Sequence, residues 1–404
     1  MPKDKIDKLL DDAIEGRSLF KNREILQSSH TPNEILYRDD EQKRVMQALL
    51  PLAKRARPSN LLAYGKTGTG KTLVVRDTLK KIQEHPKLRT FPIRILYANA
   101  KEESTASGLL ISFGRQLGFG LELEEVLPST GLSIGSIFNK LIDVIKKESL
   151  KAIFVIDEID DLVKTKHTQD TDILYLMTRA NTRTNPGFIS IIGISNVLDF
   201  KEKLDPRVVS SLSEEEIVFR PYTVSQIQKI LSSRIKEAFV DGIVEEAAIN
   251  LCSAIAGQEH GDARRAIDLL RVAGELAERE GSNTVTEEHV RNASIKMEED
   301  KDATSLNSLP LHQKILTLAV MRSNGTTTGE IYLVYKSLCK TIRQKELTQR
   351  RATQILSELE ESTLITGKII SQGIHGRTKK YSTTIPPEKI KKAFKDDLAL
   401  QDIL

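Results

Sequence analysis

Short apolar runs alternate with helical stretches through the first half of the chain. The runs are NLLAY (60–64), IRILYAN (93–99), KAIFVID (151–157), FISIIGIS (188–195) and EEIVF (215–219). Each is rich in Ile, Val or Leu and short enough for a buried strand. Strands that alternate with helices predict a parallel sheet with crossover helices. The base of the molecule is therefore expected to be α/β, with helices on both faces of the sheet.

After residue 221 the pattern becomes purely helical. Ile227, Ile230, Leu231, Arg234 and Ile235 keep helical spacing. DARRAIDLLRVAGELAE (262–278) predicts a further helix opened by Gly261-Asp262. TEEHVRNASIKMEE (286–299) begins with a Thr-x-x-His variant of a helix cap. KDATSLNS (301–308) reads as a polar linker. Three helical segments then precede two short strands, LITGKIIS (364–371) and KKYSTTI (379–385), joined by QGIHGRT. That order predicts a winged helix-turn-helix. The expected domains are 1–220, an N-terminal segment with the α/β base; 221–305, an all-α lid; and 306–404, the winged helix.

Composition is ordinary for a folded protein, at 39% hydrophobic and 29% charged residues. The only cysteines, Cys252 and Cys339, fall within helical patterns and read as buried thiols in a reducing compartment. The first residues, MPKDKIDKLLDDAIEG, lack the apolar stretch of a signal peptide, and no run approaches transmembrane length. The expected location is cytoplasmic and nucleoid-associated, with no membrane partner. Net charge is +4, unevenly spread: residues 306–404 hold 16 Lys and Arg against 9 Asp and Glu, a net +7 that leaves −3 elsewhere. A basic C-terminal part points to a polyanion.

Gly65-Lys-Thr-Gly-Thr-Gly-Lys-Thr72 is a full G-x-x-x-x-G-K-[ST] match, placed between a strand and a helix as that motif requires. Glycines Gly68 and Gly70, with Thr69 between them, let successive N–H groups face an anion at the positive end of the next helix. Lys71 reaches β- and γ-phosphates in this motif, and Thr72 is a Mg²⁺ ligand. The candidate cofactors are therefore ATP or ADP with Mg²⁺. Asp157 and Glu158 end a buried strand; Asp157 suits the Mg²⁺ shell and Glu158 the attacking water. Asn196 ends another strand, where an amide reaches a γ-phosphate.

The stretch LTQRRATQILSELEE (347–361) has two faces. Ala352, Ile355, Leu356 and Leu359 form an apolar side; Arg350, Thr353, Gln354 and Ser357 lie opposite, with chemistry suited to base edges and phosphates. Arg377, Lys379 and Lys380 are expected near the tip of the following hairpin, able to grip phosphate. His375 reads as a turn residue. A winged helix used for protein contacts is the alternative.

Taken together, these residues resemble an AAA+ ATPase. DEIDDL, LDPRVVSSL (204–212), FRPYTVSQIQKILSSRIKEAF (219–239), GDARRAIDLLR (261–271) and TPNEILYRDDEQKRV (31–45) narrow the resemblance. They are similar to the archaeal initiator family related to the origin-recognition-complex large subunit and the cell-division-control helicase loader. The resemblance covers roughly residues 19–387. It implies that Arg264 is the sensor-2 arginine, that Arg207 is an arginine finger offered to a neighbouring subunit, and that Tyr222 and Arg234 lie beside the nucleotide. Ile35, Leu36 and Arg38 would line an adenine pocket. Residues 101–120 would form a DNA-touching insertion with Arg115 near its tip. The implied function is ATP-dependent binding of double-stranded DNA at replication origins, with slow ATP hydrolysis used as a switch. Recruitment of the replicative helicase and pairing with other initiator paralogues are further implications. A P-loop transcription regulator and a clamp-loader-like motor remain alternatives.

Overall fold

The computed structural model describes residues 18–27, 30–103, 105–119, 133–164, 168–212, 214–371 and 377–404. The chain divides into two compact units, one ending at Val290 and one running from Arg291 to Leu404.

In the first unit, strands β1 (Leu61–Gly65), β2 (Ile93–Asn99), β3 (Lys151–Asp157), β4 (Phe188–Ser195) and β5 (Glu215–Phe219) form one parallel sheet of order β2-β3-β4-β1-β5. These are the five apolar runs. Alternation along each strand sorts side chains between two cores. Ile153 and Val155 of β3 join Leu61 and Ala63 of β1 on one face, under helices α1 (Asp39–Leu49) and α2 (Lys71–Glu84). Phe154, Ile156 and Leu62 face the other way, under α3 (Ala106–Gly114), α4 (Ile134–Lys147), α5 (Thr168–Arg179) and α6 (Pro206–Leu212). Phe113 of α3 meets Phe154 edge-on, with ring centroids 4.7 Å apart. Residues 101–119 of the expected insertion thus include a crossover helix packed on the sheet. Gly120 lies outside the described residues.

Helices α7 (Val224–Ala238), α8 (Glu246–Gln258) and α9 (Ala263–Arg279) form the lid. A capping box between Thr223 and Gln226 starts α7, and the Asp262 carboxylate accepts from the Arg265 N–H to start α9. The N-terminal segment belongs with this lid: Phe20 bridges to Phe239, their rings 4.5 Å apart. Helix α10 (Glu287–Asn307) begins where expected, with Thr286 Oγ1 and His289 Nδ1 2.9 Å apart. It continues through the stretch expected to be a linker. No Pro or Gly interrupts it before Pro310, and Leu306 is fully buried in the core of the second unit.

The second unit contains α11 (Leu311–Arg322), β6 (Thr326–Thr327), α12 (Thr328–Thr341), α13 (Gln349–Glu361), β7 (Ile365–Ser371), β8 (Arg377–Thr383) and α14 (Pro387–Phe394). The strands form an antiparallel sheet of order β6-β8-β7, the wing of the expected motif. Both cysteines are buried and free. No helix among the described residues is long and apolar enough to cross a membrane.

Two glycines of similar backbone test how tightly the lid packs against its own first residues. Gly261 has φ +69°, and a Cβ there would lie 2.4 Å from the Tyr222 carbonyl oxygen; Gly281 has φ +67° and open space. Gly281→Ala is expected to cost about 1 kcal/mol, the left-handed penalty alone. Gly261→Ala should cost a further 1 to 3 kcal/mol, roughly, because backbone must move. Denaturant unfolding followed by circular dichroism checks the difference.

Candidate functional site

Strand β1 lies between β4 and β5, so its C-terminal end opens inside the sheet rather than at an edge strand. The loop 66–70 turns back there into α2. Gly68 and Gly70 have φ of +66° and +87°, a region favouring glycine. Helix α2 begins without a side-chain cap, leaving its first N–H groups directed at the loop. Lys71 is 4% exposed, and its ammonium donates to the Gly65 and Lys66 carbonyl oxygens at 2.9 and 2.7 Å. Burial pulls its pKa down to about 8, against the opposing pull of Asp157.

Asp157 closes the other side. Its Oδ2 accepts from Thr72 Oγ1 at 2.9 Å and from the Tyr97 hydroxyl; its Oδ1 accepts from the Glu158 N–H at 2.9 Å. Glu158 follows at φ +50°, and burial raises its carboxyl pKa. Two residues further on, buried Asp160 accepts from Ser195 Oγ at 2.9 Å and from the Asn196 N–H at 3.2 Å. The turn after β3 therefore places the amide that ends β4. Neither Tyr97 nor Asp160 had been singled out from the sequence.

The lid supplies a third wall. The Ala263 N–H donates to the Gly68 carbonyl at 3.3 Å, and a Cβ on Gly68 would fall 1.6 Å from the Asp262 carboxylate. Loop and lid are thus in direct contact beside Arg264. A cavity of about 440 Å³ is lined by Gly68, Gly70, Lys71, Thr72, Asp157, Glu158, Asn196, Tyr222, Arg234 and Arg264, with Ile35 and Leu36. Residues from distant parts of the sequence meet there. Arg234 is buried and donates to the Ile25 carbonyl at 3.4 Å, and burial lowers its pKa.

Three expected residues lie elsewhere. Thr69 is fully buried behind the loop, its carbonyl taken by Arg38. Arg38 does not line the cavity: its guanidinium lies 3.9 Å from the Tyr222 ring centroid and donates to the Thr69 carbonyl at 2.9 Å, the Arg220 carbonyl at 2.6 Å and Glu41 at 2.7 Å. It is a strut behind Tyr222, between the loop and the start of the lid. Arg207 is exposed outside the cavity, with Asp205 oxygens at 3.0 and 2.7 Å and the Tyr175 ring at 5.1 Å.

Sequence comparison agrees with this layout. Residues 54–199 match the AAA domain family, 228–295 the Cdc6 AAA+ ATPase-type lid domain, and 304–393 the CDC6 C-terminal winged helix domain. An ORC1-type DNA replication protein of Cenarchaeum symbiosum is 56% identical over 99% of this chain and 97% of its own. This chain belongs to the ORC1-type DNA replication proteins. The Pyrococcus abyssi protein of that description is 41% identical over 99% of this chain and 95% of its own. Among solved structures, Aeropyrum pernix ORC1 in complex with DNA superposes with a TM-score of 0.85; it is 36% identical and covers 95% of this chain and 99% of its own.

The family's winged helix has the two-faced helix expected of it. Ala352, Ile355, Leu356 and Leu359 of α13 are buried. Arg350 and Gln354 are exposed; Thr353 and Ser357 are half-buried, their hydroxyls donating to the Gln349 and Thr353 carbonyls. Tyr332 and Tyr335 fix the preceding turn through the Leu347 carbonyl and N–H, at 2.8 and 3.1 Å. In the wing, the Lys379 ammonium is paired with the Glu360 carboxylate. Lys380 sits directly across from Lys368, and both are exposed. Like charges opposite one another cost stability unless an anion joins them. Lys368 was missed because it lies within the apolar run of β7. The Arg377 side chain and His375 lie outside the described residues. Arg115 is exposed at the start of the short turn that follows α3.

Replacing Arg38 tests the strut. Arg38→Met should destabilise the first unit by about 3 kcal/mol, because Glu41 and two carbonyls lose a buried partner. Thermal unfolding without added ligand reads the loss; a neutral result would remove Arg38 from the account.

Proposed function

We propose that this protein is an ATP-dependent initiator that binds double-stranded DNA at replication origins. The observation that carries the nucleotide part is the meeting of Lys71, Thr72, Asp157, Asn196 and Arg264 around one cavity. The residues fit a nucleotide with Mg²⁺. The loop has glycine conformations and an uncapped helix start for phosphate, and Thr72 and Asp157 already share an oxygen-rich corner. Thr72 and Asp157 would hold the cation, which would neutralise phosphate charge. Lys71 would leave its carbonyl partners for the phosphates, and Arg264 would reach the same phosphates from the lid. Tyr222 and Arg234 would flank the rest of the nucleotide, with Ile35 and Leu36. Glu158, its proton affinity raised by burial, suits orientation of a water, and Asn196 suits the γ-phosphate.

Slow hydrolysis used as a switch fits this arrangement. Arg207, outside its own cavity, would serve the site of a second copy. The DNA part rests on the exposed face of α13 and the Lys368–Lys380 pair, with Arg115 of the base as a second contact. Arg350, Thr353, Gln354 and Ser357 would read base edges; Arg377 and Lys380 would hold phosphate, and Lys379 would do so only by releasing Glu360. The replicative helicase and initiator paralogues are the proposed protein partners, at the nucleoid.

Two experiments test this reading. ADP with Mg²⁺ should raise the melting temperature of the wild type. Lys71→Met should abolish that rise while keeping the ligand-free value within about 3 °C. In footprinting across candidate origins at stated salt, the wild type should protect a few sites. Arg350→Ala with Lys380→Ala should lose them, and its salt slope should fall by about 1 per lost phosphate contact. Uniform weak binding by both proteins would contradict origin recognition.

A further inference from the structure

Tyr97 is held on every side, and the nucleotide reading gives it no task. It lies on β2, the edge strand of the sheet, opposite Val155 of β3. Its backbone N–H donates to Gln116 Oε1 at 2.9 Å, and its carbonyl accepts from Gln116 Nε2 at 2.8 Å. One carboxamide thus satisfies an edge position that would otherwise face solvent. The Arg76 guanidinium, from α2, lies 3.9 Å from the ring centroid. The hydroxyl donates to Asp157 Oδ2, the oxygen that also accepts from Thr72.

We propose that Tyr97 is a positioning residue for the divalent cation, holding the Asp157 carboxylate through its hydroxyl while Gln116 fixes Tyr97. The inference rests on the cation reading of Thr72 and Asp157 given above. Its logic is that of an outer-shell partner. A cation would take a lone pair of the Thr72 oxygen and leave its proton able to donate to Asp157. Of the two hydroxyls that donate to that carboxylate oxygen, the Tyr97 hydroxyl is the one that would not itself hold the cation, and it keeps the carboxylate from rotating. Phenol, ring face and backbone are each anchored by a different element, so the hydroxyl has little freedom to follow a moving carboxylate. Outer-shell partners of this kind set metal affinity by factors of about 10 to 100.

The test is the Mg²⁺ dependence of ADP affinity, measured by calorimetry on the full chain from EDTA to millimolar Mg²⁺. Tyr97→Phe keeps the ring and the Arg76 contact and removes only the oxygen. Its ADP affinity in EDTA should stay within about twofold of wild type, while the Mg²⁺ concentration giving half of the affinity gain should rise about tenfold. Gln116→Ala, which leaves the hydroxyl in place, should shift the midpoint in the same direction by a smaller factor. An unchanged or lower midpoint in Tyr97→Phe, with a normal midpoint in wild type, would overturn the inference and leave the nucleotide reading standing. A wild type whose ADP affinity ignores Mg²⁺ would instead overturn the cation reading on which the inference depends.

Discussion

A buried ammonium group held only by carbonyl oxygens is the constraint on which the site depends. Lys71 is nearly inaccessible, and its two hydrogen-bond acceptors belong to the loop that precedes it. Neutral acceptors repay little of the cost of removing a cation from water. Burial accordingly holds its pKa below the usual lysine value. The loop that supplies both acceptors runs from β1, inside the sheet, directly into α2. A fold that tolerates such a group retains a strong demand for anionic oxygen at one point.

The lid meets the same loop from the other side. Asp262 touches the loop at Gly68, and the first N–H of α9 donates to the Gly68 carbonyl. Arg38 ties the loop to the start of the lid from behind, through Thr69 and Arg220. Two small links on opposite sides of the loop therefore join base and lid. Anything that straightens the loop must move Asp262 or Arg38. These contacts would couple nucleotide occupancy to lid position directly, without any long relay.

Much of this was legible in the sequence, because the signals were local. Five apolar runs became five strands, and the glycine-lysine-threonine loop took its place between β1 and α2. The apolar side of α13 followed from spacing alone. What was not legible depended on contacts across the chain. Tyr97 sits in an apolar run whose pattern says only that it is a strand; its hydroxyl matters because β2 and β3 are neighbours. Asp160 takes its place from Ser195 and Asn196, which are distant in the sequence. Arg38 was read as part of a pocket wall, yet its guanidinium finds better acceptors behind Tyr222. The stretch 301–308 is polar enough for a linker, but Leu306 has a core to join and nothing breaks the helix. The pairing of Lys379 with Glu360, 19 residues away, has no local signal in the sequence.

Amide hydrogen exchange with and without ADP and Mg²⁺ tests the central claim, that loop and lid form one responsive unit. The amides of residues 66–72 and of 263–266 should gain protection together, by similar factors and at the same ADP concentration. Protection confined to the loop, with the start of α9 unchanged, would contradict the claim.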